Sequence, residues 1–382
     1  MRFAEIIGQE EIKQQLRRSV ADNRIPHARL FYGPQGVGKL QLALAYAQYL
    51  ACTNKTDGDS CGKCPACLQY QKLQHPDLHL IFPIVKSDKS DICDTYINQF
   101  RELCMNKTYF RLDDWYAALG SENKQGLIYE NESAEILRKL SLRSFGDGYR
   151  VVIIWLPEKM NDVSANKMLK ILEEPPEKTL FILVSEQPER LLPTILSRVQ
   201  QIRVPRLTDE EITDAIFSLR PDISFSDANS IAHVAAGSWL NAVNILSEDD
   251  GNDSNLERFD SLMENAIAIG KSRDNYQSLI ELKQWSEGTA ALTRETQKNF
   301  LVFAERLLRE LFVSNYGIER LNYLYPREKN LQQKLSAFVT SNNVEQIMNL
   351  FDSAQRQIEQ NGNSKIVFFD LCLQLIVFLK KS

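Results

Sequence analysis

The sequence predicts an α/β P-loop domain with a parallel sheet, followed by a small helical lid and an all-α C-terminal domain. Short apolar runs alternate with helical patterns over roughly the first half of the chain, which is typical of α/β domains. A glycine-rich loop joins the first apolar run to a helical pattern. From residue 256 onward the patterns are helical, with nothing like an array of strands.

The elements of the α/β domain follow one another along the chain. Helical patterns over residues 10–20 and 40–51 flank an apolar run, 28–32, that we interpret as the first strand. Two further runs, 151–156 and 179–185, are bounded by turn residues. Their continuous apolarity favours parallel strands that are covered by helices on both faces.

The domain boundaries follow from changes in pattern, and a length of 382 residues fits two to three domains of about 150 residues. Residues 85–126 predict a helical insertion, which we interpret as a surface elaboration. Thr208 and Glu211 have capping-box spacing and predict a helix start, and the acidic stretch 248–255 predicts a linker. The predicted domains are residues 1–205, with a cysteine-rich segment at 52–67, then the lid at 206–250 and the helical domain at 251–382.

Composition excludes several classes of protein. Apolar residues make up 43% and charged residues 25%, which excludes a disordered or fibrous chain. A net charge of -5 excludes a protein that is basic overall, although a local basic patch remains compatible with it. The start lacks an apolar signal region, and the longest apolar run, 366–379, contains Asp370 and Gln374. We therefore expect a cytoplasmic protein without a membrane partner.

The glycine-rich loop predicts a phosphate-binding site. Gly33, Gly36, Gly38 and Lys39 match the G-x4-G-K part of the P-loop, between a predicted strand and a predicted helix. Glycines allow backbone N–H groups to turn toward a phosphate, and the lysine reaches the β- and γ-phosphates. A tight turn that merely needs glycine does not explain the lysine. Binding of ATP or ADP therefore stays open.

The groups that should hold magnesium are missing. Leu40 stands where the P-loop motif has a serine or threonine hydroxyl. Trp155 and Leu156 stand at the end of the second apolar run, where acids are expected, and Glu158 lies too far along to replace them. Phosphoryl transfer depends on positioning and on charge neutralisation by the metal. The sequence thus predicts poor ATP hydrolysis or none.

Four cysteines have the spacing of a structural zinc site. Cys52, Cys61, Cys64 and Cys67 form the pattern C-x8-C-x2-C-x2-C. Four thiolates complete a tetrahedral shell and leave no open position for catalysis. The other interpretation, four reduced and partly buried thiols, carries less weight at this spacing. The remaining cysteines, at positions 93, 104 and 372, are isolated and are interpreted as apolar filling.

Several motifs together resemble one protein family, the clamp-loader branch of the AAA+ ATPases. More narrowly, the chain is similar to the delta-prime subunits of bacterial DNA polymerase III. The cysteine knuckle after the P-loop helix is a hallmark of the bacterial members. The other matching segments are residues 6–10, beside the family's adenine site, 25–33, which lead into the P-loop, 166–176, which contain the E-E-P-P sequence, and 192–198, which end in Ser-Arg.

The resemblance implies a role inside an assembly. Arg198 matches the arginine that enters a neighbouring subunit's ATP site, where a guanidinium suits a γ-phosphate. Leu240 stands where the hydrolysing subunits have a nucleotide-sensing arginine. The implied partners are the gamma/tau and delta subunits in a hetero-pentameric ring, with the C-terminal domain as a collar. The complex would load a sliding clamp onto primer–template DNA, and the chain itself would not hydrolyse ATP.

Two other functions remain open at this point. The first is an active P-loop ATPase resembling gamma/tau, which Lys39 favours and which Leu40 and Trp155 oppose. The second is a zinc-bearing DNA-binding module outside replication. The cysteine knuckle is compatible with such a module, but the Ser-Arg and E-E-P-P segments would then have no explanation.

Overall fold

The structure is a computed structural model that divides into two compact units, Met1–Val243 and Asn244–Ser382. It describes the chain except for a few short segments, which include parts of the insertion predicted at 85–126. The side chains of residues 250–253 are also outside the description. The segments outside the description are residues 87–91, 122–125, 142–143, 145–147, 247–249, 272–274, 319–320, 325–327 and 381–382.

A parallel five-stranded sheet in the order β2-β3-β4-β1-β5 lies in the first unit, counted over the described residues. All four strand pairs are parallel, which confirms the predicted α/β class. Every residue of the central strand β4 is buried, as expected for a strand covered on both faces. The strands are β1 Ala28–Tyr32, β2 Leu78–Ile81, β3 Arg150–Trp155, β4 Thr179–Ser185 and β5 Gln200–Arg203.

Helices cover the sheet and continue into the predicted lid region. The Thr208 hydroxyl accepts the N–H of Glu211 at 3.1 Å, and the Glu211 carboxylate accepts the N–H of Thr208 at 2.9 Å, which confirms the capping box. The helices are α1 Glu10–Ala21, α2 Lys39–Ala51, α3 Pro65–Gln71, α4 Ile97–Asn106, α5 Leu112–Ala118, α6 Glu130–Ser141, α7 Asp162–Glu173, α8 Pro193–Leu196, α9 Asp209–Leu219, α10 Phe225–Ala235 and α11 Trp239–Leu246.

The second unit is helical over its described residues and has its own apolar core, which includes Phe259, Leu307, Phe351 and Phe368. The linker predicted at 248–255 lies outside the described residues at 248 and 249, and it is wrong from Asp250 onward, because a long helix begins there. One glycine costs a helix only about 1 kcal/mol, which the apolar face of the following turns outweighs. The helices are α12 Asp250–Lys271, α13 Tyr276–Ala290, α14 Arg294–Ser314, α15 Lys329–Leu335, α16 Val344–Glu359 and α17 Ser364–Leu379.

Among the described helices, none has both the length and the apolar character needed to cross a membrane.

His79 on β2 gives the first unit a predicted dependence on pH. Burial, Lys139 and Arg150 lower the pKa of His79 from 6.5 to about 4, while Asp77 and Asp94 oppose that shift. The folded chain therefore holds a neutral His79, whereas the unfolded chain takes up the proton below pH 6.5. Stability is retained above pH 6.5 and is lost as the pH falls toward 4.

We expect His79→Gln to reduce the acid-induced loss of stability. From the lowered pKa, the His79 contribution to that loss is about 2 kcal/mol between pH 7 and pH 5. Urea unfolding at both pH values measures the difference, and His27→Gln, at an exposed position, is the control. An equal loss for both variants would contradict the assignment to His79.

Candidate functional site

The phosphate loop lies at the carboxyl end of β1, and α2 begins at its lysine. Gly36 and Gly38 have φ angles of 79° and 91°, a region that favours glycine. The backbone carbonyl of Gly36 accepts the Trp239 N–H at 3.0 Å, so the start of α11 contacts the loop. A Cβ at Gly36 would collide with the Ser238 side chain and would lie 2.9 Å from the Cβ of Leu240. Glycine is therefore required both by the turn and by the close approach of α11.

Lys39 is buried inside its own loop. Its side chain donates to the backbone carbonyl of Pro34, and only 5% of the residue is exposed. Burial lowers the pKa of Lys39, and the carboxylates of Glu186 and Glu158 act against that shift. A bound phosphate would have to replace these contacts with its own oxygens.

Two acids beside Lys39 were not assigned from the sequence. Burial raises the pKa of Glu186, which directly follows β4, while Lys39 acts against the rise and Glu158 adds to it. One Glu158 oxygen accepts the backbone N–H groups of Glu186 and Gln187 at 2.8 and 3.2 Å. An acid at the carboxyl end of a predicted strand is the signal that could have found Glu186, because such ends line the sites of parallel sheets.

Apolar packing occupies the positions where a magnesium site would need oxygen ligands. Leu40, Trp155 and Leu156 are 6%, 5% and 3% exposed. The Trp155 ring packs against Phe110 at 5.2 Å and Phe100 at 5.7 Å between ring centroids, both from the insertion. Magnesium prefers oxygen ligands and keeps several of its waters. This apolar cluster offers neither oxygen ligands nor a place for those waters.

The four predicted zinc ligands lie together. The sulfur atoms of Cys52, Cys61, Cys64 and Cys67 are all within 4.8 Å of one another. The Cys61 and Cys67 sulfurs are 3.9 Å apart, close to the ~3.8 Å edge of a tetrahedron with zinc–sulfur bonds of about 2.3 Å. Cys52 directly follows α2, and Cys64 precedes α3, whose first residue is Pro65.

Backbone N–H groups favour the thiolate form of two of these cysteines, Cys61 and Cys64. The amide of Cys61 donates to the Cys52 sulfur at 3.3 Å, and the amide of Cys64 donates to the Cys61 sulfur at 3.3 Å. N–H groups of Lys63 and Cys64 lower the pKa of Cys61. Burial acts to raise the pKa of Cys64, but N–H groups of Cys67 and Thr53 outweigh it and lower that pKa to about 6. Burial raises the pKa of Cys67, so a metal would have to displace the proton of that thiol. Four sulfurs this close together form a donor set that fits a soft divalent metal such as zinc.

Arg198 follows α8 and lies partly exposed on the surface of the first unit. Its guanidinium donates to the Thr194 carbonyl at 2.8 Å and the Ser197 hydroxyl at 3.3 Å. It also pairs with Glu173 at 2.5 Å, with side-chain exposures of 32% and 47%. Of the predicted site residues, those of the phosphate loop lie together and the four cysteines lie together. The contacts of Arg198 described above are instead with residues on or beside α7 and α8.

Comparison with known proteins places these features in one family. The family described as DNA polymerase III, delta subunit, matches residues 8–208, more than half of the chain. A DNA polymerase III subunit delta' from Bacillus subtilis is 30% identical over 226 residues, covering 59% of this chain and 56% of that protein. A subunit tau/gamma from Haemophilus influenzae is 29% identical over 250 residues, covering 64% of this chain and 30% of that protein.

Similarity to solved structures is lower. A gamma subunit-related protein of DNA polymerase III from Thermotoga maritima has 14% sequence identity and a TM-score of 0.44, with 96% of this chain and 99% of that chain covered. Each of the two sequence relatives is matched over less than two thirds of its own length.

Proposed function

Because the chain belongs to the DNA polymerase III delta-subunit family of AAA+ clamp-loader proteins, we propose that it is a delta-prime-type subunit of a clamp loader. In this role it assembles with other subunits and does not itself hydrolyse ATP. The observation that carries the proposal is the packing of Trp155 against the insertion, at the point where a hydrolysing subunit needs a metal-binding acid.

We propose that Arg198 acts on the ATP of a neighbouring subunit. The family resemblance supplies the direction of this contact, and its partly exposed guanidinium is accessible to another chain. The ion pair with Glu173 is no obstacle, because partly exposed pairs contribute only about 0–1 kcal/mol. A γ-phosphate, with its greater charge, can therefore replace the Glu173 carboxylate.

We also propose that the cysteine cluster holds one structural zinc ion. Cys52, Cys61, Cys64 and Cys67 would bind it with four thiolates and would leave no open coordination position. The metal would join the end of α2 to the start of α3 and has no part in a reaction.

An exposed apolar face on α17 supports assembly with partners. Ile366, Phe369, Leu373 and Val377 are 66%, 43%, 42% and 51% exposed. Their spacing of three or four residues places them on one side of the helix. Contiguous exposed apolar surface of this kind marks interaction sites. We propose that this face contacts gamma/tau or delta subunits in a pentameric ring, which in turn acts on the sliding clamp and primer–template DNA.

Leu373→Glu is expected to lower incorporation into the loader by about tenfold or more, since it would place an unpaired charge in an apolar interface. Gel filtration of the chain with gamma/tau and delta subunits measures incorporation. Gln374→Glu adds the same charge at the next position, which is already polar and exposed, and should assemble normally. Normal assembly of Leu373→Glu would exclude this face, and failure of the unmodified chain to join the subunits would contradict the proposed function.

The alternative of an active ATPase retains one supporting observation. Gly36, Gly38 and Lys39 have the backbone conformation and position of a phosphate loop. Burial of Leu40 and Trp155 opposes hydrolysis at this loop, because neither side chain can hold a metal ion.

A further inference from the structure

A short segment of the insertion, Lys107–Arg111 between α4 and α5, lies against the phosphate loop. A Cβ on Gly38 would lie 3.3 Å from the Tyr109 hydroxyl oxygen and 3.5 Å from its ring, with Ile6 also at 3.5 Å. Burial raises the pKa of Tyr109 to about 12, and the backbone N–H of Ile7 acts against that rise. The tyrosine ring therefore lies between the phosphate loop and the N-terminal segment that contains Ile6 and Ile7.

Both sides of this segment are attached to elements around the loop. The Thr108 carbonyl accepts a hydrogen bond from the Gln41 side chain on α2. Arg111 donates to the Asn241 side chain at 3.0 Å, on α11. Since α2 follows the loop and the start of α11 contacts Gly36, the segment spans the loop from one neighbouring helix to the other.

The remaining apolar residue of the segment fills the end of β3. Phe110 contacts the Trp155 ring at 5.2 Å and the Phe100 ring at 6.0 Å. Lys107 pairs with Asp114 at 2.6 Å, on α5. Every residue from 108 to 111 thus contacts an element that surrounds the predicted nucleotide site.

We propose that Lys107–Arg111, which we name the strap, occupies the nucleotide site of its own chain, with Tyr109 excluding ATP and ADP. The inference rests on the proposed function in taking Gly33–Lys39 as a nucleotide loop. A nucleotide binds only the fraction of molecules in which the strap has moved away. If the strap is closed in 99% of molecules, the apparent affinity for nucleotide falls about a hundredfold.

The test is ATP binding by the full chain, measured by calorimetry without hydrolysis. Wild type is expected to bind weakly or not at all, and Tyr109→Ala at least about tenfold more tightly. Tyr109→Phe keeps the ring and should bind like wild type. Met105→Ala, at an exposed position on α4, is the control for a change in the insertion outside the strap. Adding Lys39→Ala to Tyr109→Ala should abolish the gain, which would locate it at the phosphate loop.

Two outcomes would contradict the proposed role of the strap. The first is that wild type binds ATP as tightly as Tyr109→Ala does, and the second is that neither folded protein binds ATP. Thermal unfolding establishes that each variant is folded. If Tyr109→Ala fails to fold, Arg111→Ala replaces it, because losing the Asn241 contact should also release the strap and raise affinity. Arg198 lies outside the strap contacts. The ATPase assay of the loader can therefore contradict the proposed role of Arg198 while ATP binding still supports the strap, and the reverse also holds.

Discussion

Arg198→Ala is expected to lower the ATPase rate of the assembled loader by about three orders of magnitude or more, while the subunits still assemble. An arginine supplied in trans stabilises the charge of the transition state and is worth about 10³–10⁵ in rate. In the isolated chain this side chain contacts Glu173, Thr194 and Ser197, all within the first unit and all partly or fully exposed. Its loss should therefore affect the chemistry of a neighbour much more than folding. The measurement is clamp- and DNA-stimulated ATP hydrolysis by the reconstituted complex.

Three variants separate the proposed action of Arg198 on a neighbour's ATP from other effects of charge. Arg198→Lys keeps the charge but loses the planar pair of donors, so most of the defect should remain. Arg190→Ala removes an exposed arginine near α8 and should leave the rate unchanged. Glu173→Gln removes the partner in the ion pair and should change the rate less than about threefold. An unchanged rate for Arg198→Ala would remove the trans role, and turnover by the isolated chain at an ordinary ATPase rate would favour the active ATPase instead.

Cys64→Ser is expected to abolish zinc binding and to destabilise the first unit strongly. Structural zinc sites have apparent binding free energies of about 10–16 kcal/mol, most of which acts as folding free energy. The knuckle is tied to the rest of the unit through Asp59, whose carboxylate accepts the N–H groups of Phe3 and Ala4 at 3.1 and 2.9 Å. Cys52 directly follows α2, the helix that begins at the phosphate loop. Loss of the metal should therefore loosen both α2 and the N-terminal segment.

The measurements are zinc content after purification without chelator, and thermal unfolding. The unmodified chain should hold about one equivalent of zinc, and Cys64→Ser should hold none and unfold at a lower temperature. Cys104→Ser, a thiol in α4 outside the cluster, should keep the metal. A zinc-free unmodified chain would contradict the proposed site.

Strands were predicted at three longer apolar runs, and two short strands, β2 and β5, were not predicted. β2 has four residues and includes His79, while three of the four residues of β5 are exposed polar side chains. β5 is an edge strand that pairs with β1 alone, so one of its sides need not be apolar. Both strands exist because a neighbouring strand offers backbone partners, and a local pattern cannot report that neighbour.

In the candidate site, too, some features could be predicted from the sequence and others were missed. The sequence was enough to predict the phosphate loop, with its glycines, Lys39 and Leu40, and the cysteine cluster. Each of these motifs lies within a short stretch of chain. Glu186 was missed although it directly follows a predicted strand, and the strap was missed because it reaches Gly38 only through packing. The insertion at 85–126 was interpreted as a surface elaboration, but Phe100 on α4 and Phe110 in the strap also pack on Trp155. That contact joins parts of the chain about 50 residues apart, and no local period encodes it.

The sequence by itself determined the α/β class, the phosphate loop, the missing metal groups and the four clustered cysteines. These properties depend on the conformations of single residues, on helix and strand periods, and on ligand spacing, all of which act over a few residues. Only the tertiary structure decided the strand order, the burial of Lys39 near two acids and the position of the strap beside the loop. Such contacts form when the burial of apolar surface brings distant segments together, and that free energy depends on the whole fold.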